Sequence, residues 1–366
     1  MRIAICGGGT GGHLYPLLAL DDELEAREDV LVDLFISEKI GMRGAFAGKS
    51  LVTADLQGFK RNLFSLDNLT AVTRMVRAIR VFRRAMRASR PAIAVGFGSY
   101  ASVPGMIAAR SLRVPTLIHE QNAVPGAANR LLGRGARGVA VAFPGSEKAF
   151  GARRVKVVGN PVRAEIMRPA AREEALRFFD LEDGVFTLAV VGGSQGAQSL
   201  NQAVAAALPF FGEDQPVQVI HAAGKGKYEE LTHQVEESGA GAGVTWRAYP
   251  YIDRMDLLYA VADLLLCRSG ASTLAELTIL GVPSILVPYP HAAAGHQEAN
   301  ARVLEQRGAA VLVQDNELSG EKLYLEVKSL IKDRGRLAAM AASARELGVP
   351  RSAAALADFA LELAEG

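Results

Sequence analysis

Short apolar runs alternate along this 366-residue chain with longer stretches in which apolar residues recur every third or fourth position. That rhythm predicts strands separated by amphipathic helices, the pattern of βα units feeding a parallel sheet. In the first half the runs are Arg2–Cys6, Leu31–Ile36, Ala92–Val95, Pro115–Ile118, Val139–Ala142 and Val155–Val158. In the second half they are Phe186–Val191, Val217–His221, Gly243–Trp246, Leu264–Cys267, Ser284–Val287 and Ala309–Leu312. Each set is led by a glycine-rich strand-to-helix turn, GGGTGG after Arg2–Cys6 and GGSQGA after Phe186–Val191. Two sets opened in the same way predict two doubly wound α/β sheets rather than one large sheet.

The join falls near Gly159-Asn160-Pro161, where turn chemistry closes a strand. The expected domains are therefore residues 1–160 and 161–350. After the breaker Gly348-Val349-Pro350 comes an Ala-rich helical pattern from about Ser352 to Ala364. This tail, 351–366, is expected to pack back on the first domain.

Composition changes little in this picture. Hydrophobic residues at 49% and charged residues at 22% mark a globular chain and exclude a disordered one. No apolar run approaches the ~20 residues a bilayer-spanning helix needs. Met1-Arg2 runs straight into a strand, so no secretory leader is expected. Cys6 and Cys267 each close an apolar run, which suits buried strand ends in a reducing cytoplasm better than a disulfide or metal site. A net charge of +2 argues against nucleic acid as a partner.

Charge does matter locally. Arginines stand at 74, 77, 80, 83, 84, 87 and 90 with no acid among them, while Leu69, Val72, Met75, Val76, Ile79 and Phe82 recur at helical spacing. Segment 69–90 reads as a basic amphipathic helix suited to an anionic membrane surface. The plainer alternative is a surface helix whose apolar stripe faces the core.

Chemistry gathers where strands end. In Gly7-Gly8-Gly9-Thr10-Gly11-Gly12, glycines let backbone N–H groups approach an anion at a helix N-terminus. Gly7, Gly9 and Gly12 also satisfy G-x-G-x-x-G, but a dinucleotide site wants an acid about 20 residues on, at the end of the second strand. Glu38 lies too far along and Asp33 lies inside the strand, so that fit is poor. His13 follows the loop directly, where a histidine suits the removal of a proton from an attacking hydroxyl. In Gly192-Gly193-Ser194-Gln195-Gly196 the amides and the Ser194 hydroxyl suit a diphosphate. His119-Glu120-Gln121-Asn122 and Gly96-Phe97-Gly98-Ser99-Tyr100 also follow strands. Ser269 or Ser272 is placed to cap the helix after Cys267, and Glu276 then falls in its first turns, able to accept both hydroxyls of a ribose. No D-x-D carboxylate pair occurs, Gly48-Lys49-Ser50 lacks the first glycine of a P-loop, and His291 and His296 lack further ligands at metal spacing.

Taken together, GGGTGGHLYP, GFGSYAS, HEQNAVPGAANR, VVGNPVR, VVGGSQGAQSLN, RSGASTLAE and the HQEANA run resemble the MurG family, in that family's order and over most of the chain. The resemblance implies a GT-B fold, two Rossmann-like domains facing across an active-site cleft. It implies transfer of N-acetylglucosamine from UDP-N-acetylglucosamine (UDP-GlcNAc) to the C4 hydroxyl of the muramoyl sugar of undecaprenyl-pyrophosphoryl-MurNAc-pentapeptide, lipid I, giving lipid II with inversion. No cofactor and no metal are implied, and the place of work is the cytoplasmic face of the plasma membrane. By motif, Ser194 and Arg163 would meet the donor diphosphate, with Ala271, Ser272, Thr273, Leu274 and Ala275 at a helix start beside it. Ile252 would meet the uracil through its backbone, Glu276 the ribose and Gln297 the sugar hydroxyls. Thr10, Gly11, Gly12 and Asn122 would line the cleft from the first domain, with His13 as general base; His119 and Glu120 either share that role or orient their loop. The segment Tyr289–Gly295, YPHAAAG, departs from the pattern in being small and apolar. Three readings stand beside this one: a related transferase with another lipid acceptor such as a diacylglycerol, an epimerase acting on UDP-GlcNAc, and a non-catalytic nucleotide-sugar-binding subunit.

Overall fold

The computed structural model describes residues 1–365, except 10, 38–45, 59–65, 152, 153, 169, 194, 213 and 214 and the side chains of 66 and 67. The chain divides into two compact units, Met1–Arg163 with Arg351–Gly366, and Ala164–Pro350.

The first unit runs β1 (Arg2–Gly7), α1 (Gly11–Glu25), β2 (Leu31–Ser37), β3 (Leu51–Ala54), α2 (Leu66–Ser89), β4 (Ile93–Gly96), α3 (Ser99–Ser111), β5 (Thr116–Glu120), α4 (Ala127–Gly133), β6 (Gly138–Val141) and β7 (Arg154–Val157). All strands are parallel, in the order β3-β2-β1-β4-β5-β6-β7. β1 explains why the sheet is covered on both faces. Ile3 and Ile5 join one buried cluster with Leu14, Leu17 and Leu20 of α1, while Ala4 and Cys6 join another with Phe82 of α2 and Met106 of α3. A strand buried on both sides is apolar throughout, hence the continuous runs in the sequence. β3 is the one strand of this sheet that those runs do not include. It is a four-residue edge strand with only Ala54 buried, so it carries no apolar signature.

The second unit runs α5 (Ala164–Met167), α6 (Arg172–Phe179), β8 (Phe186–Val191), α7 (Gln198–Ala207), β9 (Val217–Ala222), α8 (Tyr228–Ser238), β10 (Val244–Tyr249), α9 (Met255–Val261), β11 (Leu264–Cys267), α10 (Ala271–Leu280), β12 (Ser284–Leu286), α11 (His296–Gln306), β13 (Ala310–Leu312), α12 (Gly320–Lys332) and α13 (Arg334–Leu347). Its parallel sheet has the order β10-β9-β8-β11-β12-β13. Phe186, Leu188 and Val190 of β8 pack with Leu264 and Leu266 of β11 and Leu200 and Val204 of α7.

The final helix, α14 (Ser352–Glu365), belongs to the first unit. Leu356, Phe359 and Leu363 are buried in the β1/α1 cluster. Ser352 Oγ donates to Asn160 O at 3.0 Å, and Asp358 pairs with Arg27 at 2.7 Å. Gly138 in β6 makes room for this helix, since a Cβ there would lie 2.5 Å from Leu363 Cδ1.

Both cysteines are free and fully buried at their strand ends, and burial pushes both thiols well above their ordinary range. Among the described residues one carboxylate group lies close enough to share an ion, Asp21, Asp22 and Glu25. Lys49 Nζ bonds all three at 2.5, 2.9 and 3.0 Å, so the ammonium already serves as their cation.

Candidate functional site

In each sheet the strand order reverses between two neighbours, β1 and β4 in the first unit, β8 and β11 in the second. Loops leaving two such strands diverge to opposite faces and open a crevice at their carboxyl ends, where ligands of open α/β sheets bind. Both glycine loops of the sequence fall at these points.

In the first unit Gly8 and Gly9 take φ of 122° and 97°, left-handed values that need glycine. Opposite them, Phe97 N donates to Cys6 O at 3.0 Å, and Gly98 (φ 73°) is followed by Ser99 at φ 57°. Ser99 is a non-glycine residue held in a strained conformation beside the loop; its Oγ accepts from Ala101 N at 3.1 Å. Gly11 and Gly12 form the first turn of α1, whose amides point out of the helix N-terminus. Thr10 lies outside the described residues.

His13, half-buried in the first turn of α1, reaches across to the ends of β4 and β5. Its Nδ1 lies 3.0 Å from Phe97 O and 3.1 Å from Gln121 Oε1. Gln121 Nε2 in turn lies 3.0 Å from Phe97 O and 3.2 Å from His119 Nδ1, and His119 Nε2 lies 3.0 Å from Gly159 O. Burial holds His119 down to about 4, against the Gly159 carbonyl, which favours its protonated form. It is a neutral ring at physiological pH.

His119 and Glu120 were expected in a loop; they are the last two residues of β5, 0% and 1% exposed. A charge buried so fully is retained only when its lone pairs are met. Glu120 accepts from Asn122 N (2.9 Å), Asn122 Nδ2 (3.1 Å), Gly126 N (3.1 Å) and Asn129 Nδ2 (2.8 Å). These bonds tie Glu120 to the 121–126 loop and to the Asn122 side chain. Arg163 stacks its guanidinium 4.2 Å over the Tyr15 ring of α1. That places it in the unit of the first glycine loop, whereas the sequence motif assigns it to the donor diphosphate.

In the second unit, Gly193 and Gly196 take φ of 84° and 66°, and Gly196 N closes on Gly193 O at 2.9 Å. Gly196 presses so closely on the β9–α8 turn that a Cβ would stand 2.0 Å from Ala223 O. Asn201 of α7 clamps the same turn, donating from Nδ2 to Ala223 O at 3.0 Å and meeting His221 Nε2 with its Oδ1 at 3.0 Å. Burial pushes His221 down to about 3. Lys227 Nζ donates to Gln195 O at 2.6 Å. Ser194 lies outside the described residues.

Across the switch point, α10 begins after Gly270, which is the N-cap with φ −68° and ψ 139° and gives no side-chain cap. The expected serine caps are therefore corrected: Ser269 Oγ instead donates to Gln297 O at 2.7 Å. Leu274 closes its N–H on Gly270 O, and its side chain is 1% exposed. Ala275 stands one residue further into the helix. The positive helix end thus offers Ala271, Ser272 and Thr273. Glu276 is buried and accepts from Tyr259 Oη at 2.7 Å. The Ile252 side chain is buried after β10, and Gln297, at the start of α11, accepts from Tyr289 N at 2.9 Å through Oε1.

Sequence reasoning gave no role to Arg268, the residue directly after β11. It donates to Ser199 Oγ (2.8 Å), Asp315 Oδ1 (2.5 Å), Val287 O (3.1 Å) and Pro288 O (3.2 Å), tying α7 to the ends of β11, β12 and β13. A lone arginine closing an apolar strand was the available signal.

Helix α2 splits the apolar residues the sequence grouped together. Phe82 is buried, Met75 and Ile79 are half-buried, and Leu69, Val72 and Val76 are 66%, 46% and 40% exposed. Asp33, the dinucleotide alternative, pairs with Arg2 at 2.8 Å and accepts from Ser50 Oγ, away from the switch point. Glu38 lies outside the described residues. No described helix is long and apolar enough to cross a membrane.

Comparison with known proteins matches residues 3–141 to the glycosyltransferase family 28 N-terminal domain and residues 187–356 to the family 28 C-terminal domain. The chain is 42% identical, over 100% of its own length and 99% of the relative's, to the UDP-N-acetylglucosamine--N-acetylmuramyl-(pentapeptide) pyrophosphoryl-undecaprenol N-acetylglucosamine transferase of Desulforudis audaxviator. Among solved structures it resembles MurG of Acinetobacter baumannii at a TM-score of 0.78 and 30% identity, covering 99% of each chain. It resembles UDP-GlcNAc 2-epimerase of Neisseria meningitidis at a TM-score of 0.70, covering 99% of this chain and all of that one, but at 13% identity, a likeness of fold alone.

Proposed function

Because the chain belongs to the MurG family of glycosyltransferases and has its GT-B fold, we propose a residue-level account of the reaction that family performs. The enzyme is a UDP-GlcNAc-dependent N-acetylglucosaminyltransferase that converts lipid I to lipid II in peptidoglycan synthesis. The second unit holds the donor. Glu276 takes the ribose hydroxyls, the Ile252 backbone the uracil, and Gln297, with Oε1 engaged by Tyr289 N, turns its amide nitrogen to the sugar. Amides of the 192–196 loop with Ser194, and the α10 terminus at Ala271 to Thr273, meet the diphosphate, with Arg163 as an additional cation. Fixed dipoles of this kind stabilise charge as it develops on the leaving group and need no reorganisation during the step.

The first unit receives the acceptor. Thr10, Gly11, Gly12 and Asn122 hold it beside His13. The muramoyl C4 oxygen forms a bond to C1 of the donor sugar while the bond from C1 to the diphosphate oxygen breaks. UDP leaves with that electron pair, the hydroxyl proton passes to His13, and configuration at C1 inverts. Helix α2 lays Leu69, Val72 and Val76 into the surface of the cytoplasmic leaflet, and its arginines pair with anionic headgroups, each adding about 1 kcal/mol. The enzyme thereby works as a peripheral protein where its lipid acceptor resides.

The observation that carries this account is the coincidence, in the second unit, of a glycine loop, a helix N-terminus and a buried carboxylate around one switch point. Calorimetric titration with UDP, UDP-GlcNAc and NAD tests it. Binding of the two uridine ligands, weakened in Glu276→Gln, supports the donor site; binding of NAD without UDP overturns it.

A further inference from the structure

We propose that Gln121 and His119 are positioning residues that decide which nitrogen of His13 is the base. The inference deepens the reading of His13 as general base and rests on it.

The argument follows from which atoms can only accept. Gly159 O accepts, so His119 Nε2, 3.0 Å away, carries the hydrogen. In a neutral ring the other nitrogen, Nδ1, is then an acceptor. Burial keeps that ring neutral. Gln121 points one end at this Nδ1 (3.2 Å) and at Phe97 O (3.0 Å), two acceptors, so the NH2 group belongs there. The flipped amide would set its oxygen against both acceptors and leave His119 Nδ1 without this donor. With the amide fixed, Gln121 Oε1 faces His13 Nδ1 at 3.1 Å, and Phe97 O faces it at 3.0 Å.

Two oxygens that only accept thus converge on His13 Nδ1 and hold a hydrogen there. The lone pair of neutral His13 falls on Nε2, so Nε2 is the atom that takes the acceptor's proton. The chain of bonds starts at Gly159, four residues before the end of the unit's main segment, and reaches α1 without a carboxylate. An imidazolium formed at His13 meets the neutral oxygens of Phe97 and Gln121 at Nδ1.

Nitrogen-15 correlation spectra of the full-length protein labelled in histidine read each tautomer directly. The expected result in the unaltered protein is hydrogen on Nδ1 of His13 and on Nε2 of His119. Gln121→Leu removes one of the two oxygens that hold the His13 hydrogen, so its tautomers mix and kcat at saturating substrates falls about 10- to 100-fold, with donor KM little changed. Gln121→Glu still accepts from Nδ1–H and so keeps the His13 tautomer, but its second oxygen faces Phe97 O and His119 Nδ1 without a hydrogen to give, so it recovers only part of the rate. Hydrogen on Nε2 of His13 in the unaltered protein would overturn the proposal, as would a Gln121→Leu enzyme with one tautomer and full kcat. Full turnover by His13→Ala would overturn the base itself; an inactive His13→Ala with the wrong tautomer in the spectra would overturn the relay alone.

Discussion

Tyr259 at the middle of α9 donates its hydroxyl to Glu276 Oε2 at 2.7 Å, and both side chains are buried. A charge-assisted bond of this kind fixes the carboxylate's plane, and so the direction in which it presents itself to a ribose. Tyr259→Phe removes the donor and leaves the carboxylate in place. The expected outcome is a donor KM about 10-fold higher with kcat close to normal, because a bond to a charged group is worth about 1.5 kcal/mol. Steady-state kinetics with varied UDP-GlcNAc checks it.

Gly196→Ala should damage the donor loop through its backbone. The new Cβ stands 2.0 Å from Ala223 O at a φ of 66°. Left-handed strain of about 1–2 kcal/mol and overpacking of about 1–3 kcal/mol combine to destabilise the second unit. A lowered thermal midpoint together with weaker UDP binding by calorimetry is the expected pair of results. The same substitution at Gly193, where a Cβ meets no atom within 4 Å, carries only the strain and should cost less.

Acid should destabilise the protein below neutrality. His119 and His221 are held by burial at about 4 and about 3, against 6.5 for an unburied ring. Between pH 6.5 and those values the unfolded chain binds protons that the folded chain refuses. Stability is therefore undiminished above pH 6.5 and falls as pH drops, by about 1.4 kcal/mol per pH unit for each ring. Denaturant unfolding measured from pH 7.5 to 4.5 tests the slope. His221→Gln should remove one ring's share of it.

Membrane attachment should depend on side chains that fold stability does not need. Leu69 and Val72 are 66% and 46% exposed, so Leu69→Glu with Val72→Glu leaves the unfolding midpoint nearly unchanged. Sedimentation with vesicles containing anionic lipid should show loss of binding. The unaltered protein should bind less as salt rises, because screening weakens its arginine contacts.

The sequence made the sheets legible because a strand covered on both faces must be apolar throughout, and strands such as β4, β6 and β11 announced themselves that way. β3 did not, since an exposed edge strand needs no such run. The glycine loops were legible because left-handed backbone and close approach leave glycine as the residue that fits, as at Gly8, Gly9 and Gly196. What stayed hidden were the supports. Gln121 and His119 stand in one short motif, but their partners Phe97, His13 and Gly159 come from three other segments, and only the sheet brings them together. Arg268 likewise joins residues from 199 to 315, a relationship no local pattern encodes. Helix α2 showed the converse failure, since one helical period covers both a core-facing and an outward-facing stripe.

The central claim, that this chain glycosylates a muramoyl lipid with His13 as base, is met most directly by transfer of labelled N-acetylglucosamine from UDP-GlcNAc to a lipid I analogue, with a diacylglycerol acceptor in parallel. The account predicts β-linked product on the lipid I analogue, UDP released in equal amount, no product on the diacylglycerol, and a rate at least about 100-fold lower in His13→Ala. Labelled product on the diacylglycerol alone, or undiminished transfer by His13→Ala with both substrates saturating, would contradict it.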